Sequence, residues 1–281
     1  MKKKLPNEFS KILMVLKPYQ EKLAGIVIES TFNLNWLVDA LMEKGFKVRL
    51  ANPAAIIQYN GLKHTDDRYD SFWLAHLLRL GLLKDGYIYP KELRKVRDLM
   101  RKRIQLVQNR TTHILSIQNL YARNLGKKIS SNKKIKTRYG SGAISQSEFR
   151  ETILSSLLII ETVNINVSGI EKLILGQVKL FPEFQKLMTV HGIGKILALT
   201  IMLETGNIYR FNKVDNYASY CRSVPSKKTS NEKKKGTGNT KSGNKYLSWA
   251  YVEAANFFIR HIESAKRYYQ KKLLKPNRLL P

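Results

Sequence analysis

The sequence predicts an α/β segment followed by a mostly helical chain, and three observations lead to this fold class. A buried strand, an amphipathic helix and a second strand follow one another between residues 24 and 51 with short connections. Two long stretches then carry apolar residues at three- and four-residue steps, the helical period. The last hundred residues alternate apolar helical patterns with Gly-rich and Lys-rich connections.

The first strands and helices form a βαβ unit. A short helix is predicted over residues 7–22, and strands are predicted at Ala24–Glu29 and Lys47–Ala51. The helix between the strands, residues 33–44, ends before Gly45, a residue suited to the position after a helix. We expect the two strands to be parallel neighbours with Glu29 at the carboxyl end of the first. Two strands are not a stable sheet, so we expect this segment to be incomplete.

Three acidic residues occur within five positions of a chain that is poor in acids. Asp66, Asp67 and Asp70 precede an apolar helical pattern, and Asp67 and Asp70 are spaced to share one helix face. Two carboxylates held that close repel each other unless a cation lies between them. Mg2+ prefers such oxygen ligands, and Glu29 could complete the site. The alternative is helix capping, because Asp is favoured in a first turn, and Glu29 is then only an acid at a strand end.

Two long amphipathic helices are predicted next. The first begins at Pro90 and continues to about Tyr121, with many basic residues on its outer faces. The second runs from about Phe149 to Val178, and Asn164, Asn166 and Gly169 weaken the prediction that it is unbroken. A polar break separates them, which predicts an antiparallel coiled-coil arm. The basic residues fit either a solvated face or a nucleic-acid-facing one.

The last segment holds two candidate phosphate-binding elements. Gly192 and Gly194, followed by Lys195, precede an apolar helix, where backbone N–H groups can approach a phosphate. This pattern is similar to a helix-hairpin-helix, which binds the DNA backbone without reading its sequence. The second element, between Arg222 and Lys245, reads as a flexible basic loop around Ser230, with these lysines: Lys227, Lys228, Lys233, Lys234 and Lys235. A serine in such a loop is ordinarily only a polar linker residue.

Charge narrows the class of partner. The chain of 281 residues has 50 Lys and Arg against 21 Asp and Glu, a net charge of +29 spread over its length. This predicts a polyanionic partner, DNA or RNA, ahead of a membrane surface.

The single cysteine, Cys221, excludes an intrachain disulfide and a Cys-type zinc site. We find no apolar run of transmembrane length and no signal-peptide core, and we expect a cytoplasmic protein without membrane partners.

Taken together, the motifs resemble one known family over nearly the whole chain. The family is the DEDD-type insertion-sequence transposases of the IS110 group, which are serine recombinases guided in some members by a bridge RNA, and the related pilin-gene inverting recombinases. Each match is weak alone, but they occur in the family's order, in these stretches: Glu29–Thr31, Trp36–Leu41, Leu50–Ala55, Gly61–Asp70, Leu78–Gly81, Gly86–Pro90, Arg97–Leu99, Gly192–Gly194, Ser219–Arg222, Ser230–Gly236 and Gly243–Ala250.

The resemblance implies an architecture and a reaction. It implies a RuvC-like domain of the RNase H fold over residues 1–84, a helical coiled-coil arm over 85–180 and a C-terminal transposase domain over 181–281. Glu29, Asp67 and Asp70 fall on the family's metal-binding acids, and Ser230 falls on its nucleophilic serine. The implied activity is cutting and rejoining DNA through that serine, assisted by Mg2+ or Mn2+ on the carboxylates. The implied partners are DNA, a structured guide RNA in some members, and further copies of the chain as a dimer or tetramer.

One departure from the family bears on activity. The family begins with a strand that carries its first catalytic aspartate, and no such strand precedes Leu5 here. We therefore expect the first strands of the RNase H fold to be missing. Three functions follow as alternatives: an active transposase or recombinase, an inactive DNA- or RNA-binding remnant of one, and a RuvC-like junction nuclease that uses only the acids. Ser230 favours the first over the third, and the missing aspartate favours the second.

Overall fold

A computed structural model describes residues 3–30, 34–52, 56, 66–126, 129, 147–224, 227–230, 233–237 and 242–274. The chain divides into two compact units, Met1–Lys91 and Glu92–Pro281. Most of the predicted polar break between the long helices and most of the Gly61–Asp70 motif lie outside the described residues.

The first unit is a small mixed sheet with helices. Its helices are α1 (Phe9–Leu16), followed directly by a 3-10 turn (Lys17–Lys22), α2 (Asn35–Glu43) and α3 (Asp67–Arg79), and its strands are β1 (Ile26–Glu29), β2 (Val48–Ala51) and β3 (Asp85–Gly86). β1 and β2 are parallel, with Ile26 opposite Val48, which confirms the predicted βαβ unit. Gly45 follows α2 with a φ of 80°, as its predicted position after the helix requires.

The sequence predicts two strands for this sheet, and the structure adds a short third one. β3 pairs antiparallel with the far edge of β2, so the described sheet has three strands in the order β1-β2-β3. The Arg49 guanidinium donates two hydrogen bonds to the Asp85 carboxylate, at 2.8 and 2.6 Å, which fastens this short strand. Sequence patterns missed β3 because two residues have no alternation to detect.

The second unit contains all the remaining described helices and a hairpin. They are α4 (Lys91–Leu125), which begins one residue before the unit, α5 (Ser147–Val178), α6 (Pro182–Met188), α7 (Lys195–Thr205), a 3-10 turn (Ile208–Arg210), α8 (Val214–Tyr220), β4 (Lys227–Ser230), β5 (Lys233–Thr237), α9 (Lys245–His261) and α10 (Glu263–Leu273). α5 continues without interruption through the two asparagines and Gly169, because one side of it is packed on a neighbouring helix.

α4 and α5 pack side by side and run antiparallel. Arg103 pairs with Glu171 at 2.8 Å, and Arg110 donates to Asn164 at 2.7 Å, so residue numbers rise along one helix as they fall along the other. Further along, the ring of Tyr121 meets Phe149 edge-on. The coiled-coil geometry of this pair and the three domain limits stay predictions.

The main core of this unit joins the long helices to the C-terminal ones. Val96, Met100 and Ile104 of α4 pack in one cluster with Ile174 and Val178 of α5. The same cluster contains apolar residues of the later helices, among them Leu197, Leu199, Leu203, Leu247 and Ala250. Burial of these apolar residues stabilises the packing of α4 and α5 against the later helices of the unit.

One described helix is apolar and long enough to cross a membrane, contrary to the expectation that no run reaches that length. It covers Glu148–Val178, and 28% of its most apolar window is buried. Length and composition also fit a packed helix, and this one buries Ile153, Ile160 and Ile174. The sequence search missed it because Ser, Thr and Asn interrupt the apolar residues. The absence of a membrane partner stays a prediction.

Candidate catalytic and nucleic-acid-binding residues

The acidic cluster begins α3, and its three members have different surroundings. Asp66 is the residue before the helix, and its carboxylate accepts a hydrogen bond of 2.7 Å from the backbone N–H of Tyr69. Asp66 is therefore a helix cap, as the capping alternative predicts. Asp67 is exposed in the first turn, and it lines a cleft of about 800 Å3 together with Lys3, Lys4 and Arg68.

Asp70 carries the feature that capping does not explain. Its Oδ1 atom is buried and has no hydrogen-bond partner among the described residues. A buried carboxylate oxygen without a partner is costly, and a cation is one way to satisfy it. The donor type and the orphaned atom therefore fit a hard divalent cation at Asp70.

The packing of α3 on the sheet bears on Glu29. A Cβ placed on Gly25, just before β1, would lie 3.9 Å from Leu78 near the end of α3, and Trp73 and Val27 belong to the same apolar cluster. α3 therefore runs back along β1, with its first turn towards the strand end that carries Glu29. From Leu78 back to Asp70 the helix rises roughly 12 Å over eight residues. From Gly25 to Glu29 the strand extends about 13 Å, which is a similar length.

The metal site is not assembled in the described residues. Among them, no group of three or more His, Cys, Asp or Glu side chains lies close enough together to hold an ion. Glu29 is exposed at the end of β1, opposite Ala51. Its role and those of Asp67 and Asp70 stay predictions.

The Gly-x-Gly turn connects α6 to α7. Gly192 has a φ of 85°, and a Cβ there would lie 2.6 Å from the backbone oxygen of Ala254 in α9, so this glycine is required by packing. Gly194 is the residue before α7, and a Cβ there would meet nothing within 4 Å. The first N–H groups of α7 thus begin at an open surface, as phosphate binding would need.

A concave surface of about 750 Å3 surrounds this turn. It is lined by residues 188–197 together with Phe257 and His261 of α9. Lys195, the first residue of α7, is exposed and belongs to this lining. The helix-hairpin-helix assignment and the phosphate-binding roles of Gly192, Gly194 and Lys195 stay predictions.

Residues 227–230 and 233–237, which the sequence predicts to lie in a loop, form two strands. β4 and β5 form an antiparallel hairpin, in which Ser230 is opposite Lys233 and Lys227 is opposite Thr237. Ser230 is the last residue of β4 and so stands at the hairpin end. A register irregularity between Lys228 and Thr229 interrupts the ladder. Sequence reasoning missed the strands because Lys, Ser and Thr without apolar alternation are typical of a solvated loop.

Asn244 anchors the chain where the hairpin segment rejoins the helical core. Its side-chain oxygen accepts hydrogen bonds from the N–H groups of Tyr246 and Leu247, so it caps α9. Its side-chain nitrogen donates to Glu204 at 2.7 Å, and its backbone N–H donates to the carbonyl of Tyr220 at 2.6 Å. Through its side chain and its backbone N–H, Asn244 thus connects the end of this segment to α7, α8 and α9.

Glu204 is the centre of that network. It is 2% exposed, and the Arg101 guanidinium donates to both of its oxygens at 2.6 and 2.8 Å. The hydrogen bond to Glu204 raises the pKa of Arg101 above its usual value. Sequence reasoning missed Glu204 and Asn244, because a lone Glu in an apolar helix gives no signal of its distant partners.

A second buried polar chain lies near the start of the hairpin segment. The hydroxyl of Tyr217 contacts Thr205 at 2.7 Å and Tyr251 at 2.9 Å. Burial raises the pKa of Tyr217, of Tyr251 and of the Cys221 thiol. These groups are neutral near pH 7, so Cys221 is a packed thiol and not a nucleophile.

Two family profiles match the chain and define its class. Residues 1–122 match the transposase profile for the DEDD domain of the IS110 group, and residues 184–270 match the profile described as Transposase IS116/IS110/IS902 family. The first match includes the sheet and α3, and the second includes the Gly turn, the hairpin and α9. The chain is a transposase of DEDD type. It belongs to the IS110 family.

Two curated relatives agree with this assignment. The transposase for insertion sequence element IS1111A of Coxiella burnetii is 22% identical over 250 residues, which is 86% of this chain and 68% of the relative. The putative transposase y4qE of Sinorhizobium fredii is 23% identical over 222 residues, 75% of this chain and 52% of the relative. The chain therefore spans about half to two thirds of the length of these relatives.

Proposed function

We propose that this protein cuts and rejoins DNA with Ser230 as the nucleophile, assisted by a divalent cation held by Glu29, Asp67 and Asp70. The observation that carries the proposal is the position of Ser230 at the end of a hairpin, in a segment of the chain that Asn244 and Glu204 join to the helical core at its C-terminal end. Lysines precede and follow the hairpin end, where a phosphate would be bound. A structured guide RNA and an oligomer belong to the proposal through the family resemblance alone.

The serine chemistry conserves the phosphodiester energy. The Ser230 oxygen attacks the scissile phosphorus and loses its proton, the serine–phosphate bond forms, and the bond from phosphorus to the sugar oxygen breaks. The released sugar oxygen takes up a proton and becomes a free hydroxyl. A second hydroxyl can then attack the serine-linked phosphate and release Ser230, so no ATP is needed.

The carboxylates of the first unit have a separate role. Glu29, Asp67 and Asp70 would hold Mg2+ or Mn2+, which when bound polarises a phosphate oxygen. Asp66 is occupied as the helix cap, which supports Asp67 and Asp70 as the ligands. The orphaned Oδ1 atom of Asp70 supports this assignment further.

The decisive experiment is the trapping of a covalent protein–DNA adduct. The full chain is incubated with labelled DNA carrying the ends of its own element, with and without Mg2+, and denatured before electrophoresis. We expect a labelled adduct whose peptide map ends on Ser230, and no adduct with Ser230→Ala. Thr229 and Ser226, which lies outside the described residues, are the competing hydroxyls.

Each other outcome of that experiment favours an alternative. An adduct that persists in Ser230→Ala, or a label on Thr229 or Ser226, contradicts the assignment of the nucleophile. Metal-dependent cleavage without any adduct favours a junction nuclease. Binding without cleavage favours a nucleic-acid-binding remnant.

A matched pair of substitutions separates metal binding from helix capping. We expect Asp70→Asn to abolish Mg2+-stimulated adduct formation while DNA binding is retained, because an amide is a poor ligand for a hard cation. Asp66→Asn should leave the adduct yield within about twofold, because Asn caps helices as well as Asp. Adduct formation and fluorescence polarisation with the same DNA measure both effects. Equal losses in the two variants would contradict a metal site at Asp70.

A further inference from the structure

A groove with a partly exposed tryptophan lies between α4 and the first turns of α9. Its volume is about 610 Å3, within the usual range of roughly 300–1,000 Å3 for small-ligand sites. We call it the α4–α9 groove. It is lined by Asp98, Arg101, Lys102, Ile104, Gln105, Gln108, Lys245, Tyr246 and Trp249.

The aromatic side chains of the groove lie on a capped helix. Tyr246 and Trp249 lie in the first turns of α9, which Asn244 caps. The Arg101 guanidinium lies 4.9 Å and the Lys245 ammonium 5.2 Å from the centre of the Tyr246 ring. Trp249 is 38% exposed, although its neighbour Ala250 is buried in the core. The exposed part of the indole therefore lines the groove beside two cationic side chains, where a planar group can stack on it.

The α4 side of the groove supplies cations and amides. Lys102 and Gln105 are exposed and linked by a hydrogen bond of 3.1 Å, and Gln108 follows on the same face. Arg101 is already satisfied by Glu204, so Lys102 and Lys245 are the cations available to an anion. Among the lining residues Asp98 is the only exposed acid. Two lysines next to the aromatic rings of Tyr246 and Trp249 suit a ligand that carries a phosphate beside a planar base.

We propose that the α4–α9 groove binds an unpaired nucleotide of a nucleic-acid strand, with the base stacked on Trp249 and its phosphates against Lys102 and Lys245. The amides of Gln105 and Gln108 can donate to and accept from a base edge. A paired base in a duplex is stacked between its neighbours and cannot reach the indole, so the groove selects unpaired strands. This inference rests on the part of the proposed function that makes nucleic acid the partner.

The test compares single strands with a duplex on the full-length protein. Fluorescence polarisation is measured with a labelled single-stranded DNA, an RNA of the same sequence, and the DNA duplex. We expect Trp249→Ala to weaken single-strand binding by about tenfold, the size of one lost base–aromatic stack, and duplex binding by less than twofold. Trp249→Phe should retain most of the affinity, since it retains a stacking surface.

A phosphate arm uses the salt dependence of binding. Lys102→Gln should reduce the slope of log affinity against log salt on the single strand by about 0.7, the value for one phosphate contact. Tyr209→Ala is the matched control for Trp249→Ala, because Tyr209 is an aromatic residue that is 90% exposed outside the groove. Its loss should change no affinity. Thermal melts followed by circular dichroism confirm that all variants are folded.

Two results would overturn the proposal: single-strand affinity unchanged in Trp249→Ala, or duplex affinity reduced as much as single-strand affinity. A larger effect on RNA than on DNA identifies the strand as RNA, and the reverse identifies it as DNA. The adduct assay at Ser230 uses a different readout. If the unaltered protein forms no adduct but its single-strand binding depends on Trp249, the serine chemistry is contradicted and the groove assignment stands.

Discussion

Glu204→Ala is expected to lower the free energy of unfolding of the second unit by about 3–5 kcal/mol, the usual cost of breaking a buried ion pair. The substitution removes the acceptor of both Arg101 hydrogen bonds and of the Asn244 amide. It leaves a half-buried guanidinium and a buried amide without their partner, and nothing of similar shape replaces the carboxylate. Urea unfolding followed by circular dichroism on the full-length protein measures the loss.

A double-mutant cycle separates the ion pair from the general cost of changing the site. Arg101→Met and Glu204→Gln are measured alone and together, and we expect a coupling free energy of at least about 1 kcal/mol between neighbours that share two hydrogen bonds. Lys102→Met is the matched control, because Lys102 is exposed beside Arg101 on α4. A stability of Glu204→Ala within about 0.5 kcal/mol of the unaltered protein, the range of ordinary surface changes, would contradict the buried network.

Loss of the contact between Asn244 and Glu204 should also affect the position of Ser230. Asn244 caps α9 and receives its side-chain anchor from Glu204 at the point where the hairpin segment ends. If the hairpin presents the nucleophile, Asn244→Ala should reduce adduct formation more than DNA binding, since the lysines of the segment remain. Adduct yield and affinity measured on one preparation distinguish misplacement of Ser230 from loss of the fold.

Gly192→Ala is expected to destabilise the second unit by at least about 2 kcal/mol, because two costs add. The residue has a positive φ that a β-carbon disfavours, and that carbon would lie 2.6 Å from the Ala254 carbonyl oxygen and 3.0 Å from the Phe258 nitrogen. Both neighbours are helix backbone, so neither can turn aside. The turn must move away from α9, which opens the main core near Ile193.

The second glycine of the turn is the matched control. Gly194→Ala adds a methyl group that meets nothing within 4 Å, at the residue before α7, and should cost less than about 1 kcal/mol. Thermal melts of the two variants test this contrast. If the first turn of α7 binds a phosphate, Gly194→Ala should also weaken duplex binding without unfolding the protein. Equal destabilisation by the two variants would contradict the close approach at Gly192.

The sequence by itself determined the parts of the protein that have a long-range pattern. The βαβ unit follows from two apolar runs around an amphipathic helix, and the structure has these strands parallel. The long helices follow from a helical period that is sustained over some thirty residues. Composition indicated a polyanionic partner, and the order of short motifs indicated the family, which the two profile matches confirm. Each of these depends on repeated local signals, which neighbouring residues share.

Only the tertiary structure decided which polar residues have partners. Asp66, Asp67 and Asp70 look alike in the sequence, yet Asp66 is a cap and Asp70 has a buried oxygen without a partner. The Lys-rich segment around Ser230 reads as a loop, and backbone pairing makes it a hairpin. Glu204 meets Arg101 across 103 residues of chain. Such contacts join single residues far apart in the chain, so no local pattern encodes them, and burial makes each one costly to break.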